Sequence, residues 1–262
     1  MSRRALPVLA STDDWIVVAK PPWLLVHRDA LSPRADAALQ RVRNQTGGWV
    51  SPIHRLDRQV SGCLLFARRS EWAGPLSRAL TDAGARKQYV ALVRGTWKRG
   101  PEPVVVDTPM KDDNGILKEA RSTVTPIAWC AEPRCSLLLV EPHTGRYHQV
   151  RRHVRDLDHP IIGDTKHGDS HVNRAWREER GMRRVALHCL SLHVPLEGFA
   201  PNPEDAAPAV RPMPPISVTS PLFSDFADVL RGLPLFEQAA ERLPALSLPA
   251  LPSPPPPQAP EP

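Results

Sequence analysis

The residues around Asp57 have the composition of a site that could carry out nucleophilic chemistry. In the stretch SPIHRLDRQVSGCLLFAR, residues 51–68, the carboxylate of Asp57 is flanked by Arg55 and Arg58. Guanidinium groups within about 4–6 Å keep a carboxylate ionised and lower its pKa, so Asp57 could act as a nucleophile near neutral pH. An ordinary surface ion pair at a turn is the commoner explanation of such a triplet when nothing else is known.

Two later segments combine polar side chains with a regular apolar pattern. Residues 86–95, RKQYVALVRG, read as a strand that contains Tyr89, and residues 145–153, GRYHQVRRH, include Arg151 and Arg152. In a helix, Val150 and Val154 share an apolar stripe and leave the arginines elsewhere on the circumference. A half-buried tyrosine and a solvated basic face are the alternative interpretations.

No metal site is predicted. Three histidines recur every five residues at 143, 148 and 153, a spacing that does not align them on one helical face. Cys130 and Cys135 have four residues between them, and no second pair completes a zinc site. The four scattered cysteines are expected to stay reduced.

Alternating and apolar runs predict the elements that would position these residues. Strands are expected at 15–20, 62–68, 88–93, 121–127, 137–141 and 185–193, and helices at 35–45, 71–83 and 222–235. Strands outnumber helices and are joined partly by turns rather than by helical crossovers. We therefore expect an α+β fold with a mixed or antiparallel central sheet and flanking helices.

Charge and composition bound the class of protein. The 262 residues carry a net charge of +6, but residues 201–262 contain three arginines and seven acidic residues, which leaves +10 on residues 1–200. A basic domain suits a polyanionic partner such as RNA. No apolar run approaches the roughly 20 residues that span a bilayer, and the first residues lack a signal-peptide core, so a cytoplasmic protein is expected.

The C-terminal stretch is proline-rich. We expect a catalytic domain over residues 1–240 and an extended, disordered tail over 241–262, whose removal from residue 244 onward should leave activity unchanged.

Taken in order, these segments resemble one known family. HRLDRQVSG resembles the HRLDxxTSG signature of the RluA-type pseudouridine synthases, with Val60 where that family commonly has threonine. RKQYVALVRG is similar to its K-x-Y strand and GRYHQVRRH to its GRxHQ(I/L)RxH segment. VALHCLSL matches its LHA strand, with Cys189 for the usual alanine, and HPIIGDTKHGD matches a further loop. The resemblance covers about residues 8–200, and it implies that the sheet and helices surround a basic catalytic cleft.

The resemblance implies the roles of individual residues. It implies that Asp57 is the nucleophile, that Tyr89 stacks on the base and assists proton transfer, and that Arg151 pairs with the catalytic aspartate. The predicted substrate-binding residues are those that would enter the RNA, pack on the base or contact its backbone: Arg55, Leu187, Arg58, His54 and Arg152. Uridine isomerisation involves no redox change, so neither a metal nor an organic cofactor is expected, and a monomer is predicted.

Other functions stay open at this point. A catalytically silent RNA-binding protein could keep the fold, although it would have no chemical need for Asp57, Tyr89 and Arg151 together. A glycosidase usually needs a second carboxylate, and the Asp57 neighbourhood offers arginines instead. The segments LLVHRDALS and HPIIGDTKHGD look like the tRNA pseudouridine synthase C subgroup, which favours a T-stem uridine of tRNA over ribosomal RNA as substrate.

Overall fold

Two compact units make up the chain. The computed structural model describes residues 5–28, 30, 33–112, 114–197 and 214–257. Unit 1 consists of Met1–Lys87 and Cys189–Ser220, and unit 2 of Gln88–His188 and Pro221–Pro262. The chain passes from one unit to the other within the strands Arg86–Arg94 and Leu187–Val194, and again between Ser220 and Pro221. The two units are described separately below.

Twelve strands and six helices are found in the described residues. The strands are β1 (Val8–Ser11), β2 (Trp15–Lys20), β3 (Ser51–Pro52), β4 (Ser61–Ala67), β5 (Arg86–Arg94), β6 (Val104–Val106), β7 (Met110–Lys111), β8 (Leu117–Lys118), β9 (Ser122–Cys130), β10 (Cys135–Pro142), β11 (Leu187–Val194) and β12 (Ile216–Thr219). The helices are α1 (Ala38–Thr46), α2 (Ser70–Ala79), α3 (Gln149–Asp156), α4 (Ser170–Arg180), α5 (Ser224–Arg231) and α6 (Phe236–Arg242).

Unit 1 is built on the strand order β1–β2–β4–β11, with β3 paired to β4 and β12 to β11. Pairs β1–β2, β2–β4, β3–β4 and β11–β12 are antiparallel. Strands β2 and β4 are buried along their whole length, as expected for the continuous apolar runs WIVVAK and SGCLLFA. Their register places Lys20 opposite Gly62, at the end of β4 nearest Asp57.

Unit 2 contains the order β5–β10–β9–β6. β10 lies between β5 and β9 in antiparallel register, with Val140 opposite Tyr89 on one side and Val124 on the other. α3 and α4 follow β10 along the chain. The expected α+β fold with a mixed, mostly antiparallel sheet and flanking helices is confirmed, and each predicted strand and helix falls on an observed element.

The C-terminal stretch differs from the expected unpacked tail. α6 ends at Arg242, a 3-10 turn covers Pro244–Ser247, and Leu246 is 1% exposed. Leu251 exchanges backbone hydrogen bonds with Leu222 and Ser224 at the start of α5. Proline is compatible with the first position of a helical turn, and the interspersed leucines supply apolar surface to bury. Residues 258–262 of the predicted tail lie outside the described part.

No helix in the described ranges is both long enough and apolar enough to cross a bilayer.

Candidate active site

Asp57 lies in the loop of unit 1 that joins two paired strands. The loop connects β3 to β4, which pair with Pro52 opposite Phe66, and the amide of Ile53 donates to the carbonyl of Leu65 over 2.9 Å. The amide of Val60 donates to the carbonyl of Asp57 over 3.0 Å, which closes a tight turn. Leu56 and Val60, 7% and 2% exposed, anchor this turn in the core and leave the Asp57 side chain partly exposed.

A buried lysine braces the same loop from β2. Lys20 is fully buried, and its Nζ donates to the carbonyls of Pro21 at 3.0 Å, Leu24 at 2.9 Å and Arg58 at 3.3 Å. Burying an ammonium group is costly unless its donors are satisfied, so these carbonyls explain how the charge is tolerated. The bonds tie the residue after Asp57 to a strand 38 positions earlier in the chain.

Gly62 cannot be replaced without moving β11. Its φ is +114°, and a Cβ there would lie 2.2 Å from the carbonyl oxygen of Cys189. Only glycine lets the two backbones approach this closely. The Ser61-Gly62 pair after Asp57 therefore fixes where β4 begins.

His54 supports the loop as a neutral acceptor. Its Nε2 accepts a hydrogen bond from the amide of Leu65 over 3.2 Å, which requires an unprotonated nitrogen. Desolvation by burial and the nearby charge of Lys87 lower the pKa of His54 to about 3. The ring is thus uncharged in the physiological range and shapes the Asp57 loop.

The two arginines beside Asp57 are exposed. Arg55 and Arg58 both face solvent, and Nε of Arg58 donates to the carbonyl of Trp23 over 3.3 Å. Cations exposed on either side of a partly exposed carboxylate suit contact with a polyanion.

In unit 2, two residues of the GRYHQVRRH segment anchor α3. The Gln149 side chain donates to Ser122 Oγ over 3.0 Å and accepts from Thr144 Oγ1 over 2.7 Å. His153 contacts the same Ser122 hydroxyl through Nδ1 at 2.8 Å and the carbonyl of Thr108 through Nε2 at 3.3 Å. Burial lowers the pKa of His153, so its ring stays neutral and can accept from Ser122. These contacts hold α3 against β9.

Arg151, on the same helix, forms a buried ion pair with Asp164. Its Nε and Nη2 donate to the two carboxylate oxygens at 2.6 and 2.7 Å, and the side chains are 8% and 0% exposed. The amides of Lys166 and His167 add bonds of 2.9 and 3.0 Å to the carboxylate. Burial alone would raise the pKa of Asp164, but hydrogen bonds and charge from Arg151 outweigh it and lower the pKa. The guanidinium is therefore held in one orientation.

Tyr89 and Leu187 occupy strand positions in unit 2. Tyr89 lies on β5, and its side chain is 9% exposed. Leu187 begins β11 and is 3% exposed, and its carbonyl accepts from Nη1 of Arg184 over 3.2 Å. Arg152 is partly exposed on α3.

Three supporting residues were missed by sequence reasoning as functional candidates. Lys20 reads as the end of an apolar strand, and Asp164 reads as one residue of a loop. Gln149 was noticed only as part of a motif. An ionisable residue closing a fully apolar run was the available signal for Lys20, because such a group must find buried partners.

No group of three or more histidine, cysteine or acidic side chains suited to a metal ion occurs in the described residues. The expectation of a reaction without metal or organic cofactor stays a prediction. Chemically, unit 1 presents a carboxylate on a braced loop between exposed cations, and unit 2 presents an oriented guanidinium and a strand tyrosine.

Comparison with known proteins gives the same result at the levels of family and fold. The pattern of the family described as RNA pseudouridylate synthase matches residues 14–156. A protein of Haemophilus ducreyi named tRNA pseudouridine synthase C is 39% identical over 208 residues, which cover 72% of this chain and 84% of the relative. The Pasteurella multocida protein of the same name is 38% identical over 70% of this chain and 83% of its own.

Solved structures share the fold. The human protein RNA pseudouridylate synthase domain containing 4 superposes with a TM-score of 0.65 at 20% identity, over 86% of this chain and 92% of that one.

Proposed function

Because this chain belongs to the RNA pseudouridylate synthase family and is thus an isomerase that converts uridine to pseudouridine, we propose that its substrate is tRNA. Support comes from the relatives named tRNA pseudouridine synthase C, which are 36–39% identical and align over about 70% of this chain. The segments LLVHRDALS and HPIIGDTKHGD favour a uridine in the T-stem region. We place this activity in the cytoplasm.

We further propose that Asp57 carries the chemistry. Isomerisation breaks the bond between uracil N1 and C1′, rotates the base while it stays bound, and joins C5 to C1′. A carboxylate can attack C1′ or C6, or abstract a proton on a glycal route, and in each case it must lie on a rigid loop. The Lys20 brace and the buried anchors of the 53–60 loop provide that rigidity.

The oriented guanidinium of Arg151 is assigned to the Asp57 carboxylate. Asp164 engages Nε and Nη2, and His148 engages Nη1, so these contacts fix the orientation of the guanidinium. Tyr89 is assigned to the target base and Leu187 to packing against it.

The arginines assigned to RNA binding are those whose side chains are exposed or partly exposed to solvent. A uridine within a duplex must be flipped out at a cost of a few kcal/mol. Arg55 is exposed and suited to fill the space left behind, since a guanidinium both stacks and donates. Arg58 and Arg152 are assigned to the RNA backbone. His54 is assigned to RNA binding through the loop shape it maintains, because its acceptor nitrogen is engaged by Leu65.

Tritium release from uridine labelled at C5 tests the chemistry. Asp57→Asn keeps the side-chain shape but removes the charge and the nucleophile, so turnover on tRNA should fall at least about a hundredfold. RNA affinity should stay within about twofold of wild type. Asp13→Asn is the control, because Asp13 is likewise an aspartate outside the core but is exposed and lies before β2. Turnover by Asp57→Asn above a hundredth of wild type would remove Asp57 from the reaction.

Mapping of pseudouridines by chemical adduct sequencing tests the substrate. Cells with and without the gene are compared, and the deletion is complemented with wild-type protein or with Asp57→Asn. Loss of a tRNA modification that only wild-type protein restores supports the proposal. Loss confined to ribosomal RNA would favour that substrate instead and would leave the family unaffected.

A further inference from the structure

One aromatic ring near Arg151 is exposed without an assigned role. Tyr147 precedes α3, and 51% of its surface is open to solvent. Trp49 of unit 1 is the other strongly exposed aromatic residue in the described ranges, at 49%. Single exposed apolar residues are common on protein surfaces, so the surroundings of the ring must indicate whether it binds anything.

The Tyr147 ring is held in place by His148. The two rings stack with centroids 3.8 Å apart and planes inclined by 21°. His148 adopts the left-handed conformation, with φ of 54°, at the N-terminal boundary of α3. Non-glycine residues rarely adopt this conformation, and residues that the fold holds in it are often found at functional sites.

His148 is in turn connected to the buried ion pair. Arg151 donates from Nη1 to Nε2 of His148 over 2.8 Å, which leaves Nδ1 of the neutral ring to donate to Nε2 of His167 over 2.9 Å. Burial is the main cause that lowers the pKa of His167, which keeps this ring an acceptor. The exposed tyrosine is thus preorganised by contacts that reach Asp164 through Arg151.

The surroundings of the ring are cationic. Nζ of Lys166 lies 5.1 Å from the Tyr147 centroid, within the range of a cation–π contact. Lys166 is itself exposed, so its flexible ammonium can leave the ring when a planar group takes that place. An aromatic surface beside a mobile cation fits a nucleobase with its phosphate.

We propose that Tyr147 is a stacking platform for a nucleobase of the RNA other than the target uridine, and that Lys166 binds a phosphate beside that base. The inference rests on the proposed function, since Tyr89 is assigned to the target base. The platform is joined through His148 to Arg151, which is assigned to the catalytic carboxylate, so occupancy by a neighbouring nucleotide would orient the RNA at the reaction centre.

Binding is measured with a folded tRNA transcript in the Asp57→Asn background, where turnover is expected to be at least about a hundredfold lower. Tyr147→Ala should weaken binding by about tenfold, because stacking of one base on an aromatic side chain contributes on the order of 1–3 kcal/mol. Tyr147→Phe keeps the ring and should bind within about twofold of the parent. Trp49→Ala, an equally exposed aromatic residue, is the matched control and should not change affinity.

Turnover separates this role from a catalytic one. With Asp57 intact, Tyr147→Ala should raise KM by about the same factor and change kcat at saturating tRNA less than about twofold. Equal affinity of Tyr147→Ala and the parent, or an equal loss in Trp49→Ala, would overturn the platform. A tenfold loss in Tyr147→Phe would also overturn it, since stacking needs only the ring.

Lys166→Gln tests the phosphate contact. Removing one phosphate contact should reduce the slope of log affinity against log salt by about 0.7–0.9. An unchanged slope would remove Lys166 from the proposal.

Ultraviolet crosslinking gives an independent test. Cleavage after Arg146 and Arg151 releases peptide 147–151, which should carry a crosslinked nucleotide in the Asp57→Asn complex and lose it in Tyr147→Ala. A crosslinked nucleotide that is the target uridine itself would overturn the assignment to a second base. If wild-type protein releases no tritium while RNA binding still depends on Tyr147, the proposed reaction fails and the platform stands.

Discussion

Replacing Asp225 with alanine should destabilise the protein far more than its position near the surface suggests. The carboxylate of Asp225 accepts from Nε of Arg184 at 2.6 Å and from Nη2 at 3.2 Å. The Arg184 side chain has no exposed surface, whereas Asp225 is 27% exposed. Ser253 in the C-terminal stretch donates to the same carboxylate over 2.7 Å.

The expected magnitude follows from burial. Removing one partner of a buried ion pair costs about 3–5 kcal/mol, because the other charge remains away from water without its counterion. Partial exposure of Asp225 gives water some access, so we expect the lower end, about 3 kcal/mol. At about 2–4 °C per kcal/mol for a chain of this size, the melting temperature should fall by roughly 6–12 °C.

Activity should fall as well, because Arg184 also donates from Nη1 to the carbonyls of Val185 and Leu187. Losing the carboxylate that fixes this guanidinium should loosen the strand that carries Leu187. We therefore expect a lower kcat per folded molecule, measured by tritium release well below the melting temperature.

The matched control lies one helical turn away. Asp228 pairs with Arg231 at 3.1 Å, but the two side chains are 69% and 41% exposed. Asp228→Ala should stay within about 0.5 kcal/mol of wild type. Urea and thermal unfolding followed by circular dichroism compare the two variants. Equal stabilities would refute the argument that burial of Arg184 sets the cost.

Three further changes test other parts of the structure. Deleting residues 244–262 should lower the free energy of unfolding by at least about 3 kcal/mol, because Leu246 is buried; an unchanged melting temperature would show that this stretch does not stabilise the fold. Asp164→Asn should lower kcat at least about tenfold through Arg151. Its stability deficit should shrink as pH falls below the ordinary carboxyl pKa of 3.8, because the unfolded state then binds a proton that native Asp164, with its lowered pKa, does not; a deficit independent of pH would contradict this. For His54, whose pKa is lowered from 6.5 to about 3, the unfolded state binds the proton more tightly, so its contribution to stability is complete above pH 6.5 and declines as pH falls toward 3. His54→Gln keeps an acceptor for Leu65 without titrating and should flatten that part of the unfolding profile; an identical profile would show that His54 does not titrate there.

The amino-acid sequence by itself determined the family and the classes of local structure. Apolar runs such as WIVVAK and SGCLLFA can be recognised without coordinates, because a strand that is buried on both faces consists of consecutive, mostly apolar residues. The HRLDRQVSG motif indicates Asp57 as the candidate nucleophile in the same way, and that role stays a prediction. These are local properties, and each depends on residues within a window of about ten positions.

Only the tertiary structure decided what supports those residues. Lys20 reaches Arg58 across 38 positions and Arg184 reaches Asp225 across 41, and no local pattern encodes such partners. The C-terminal stretch shows the same effect, since its proline content predicted an extended chain while burial of Leu246 depends on surfaces formed elsewhere. Hydrogen bonds and ion pairs between distant residues form only when the fold brings them together, and burial then determines their strength.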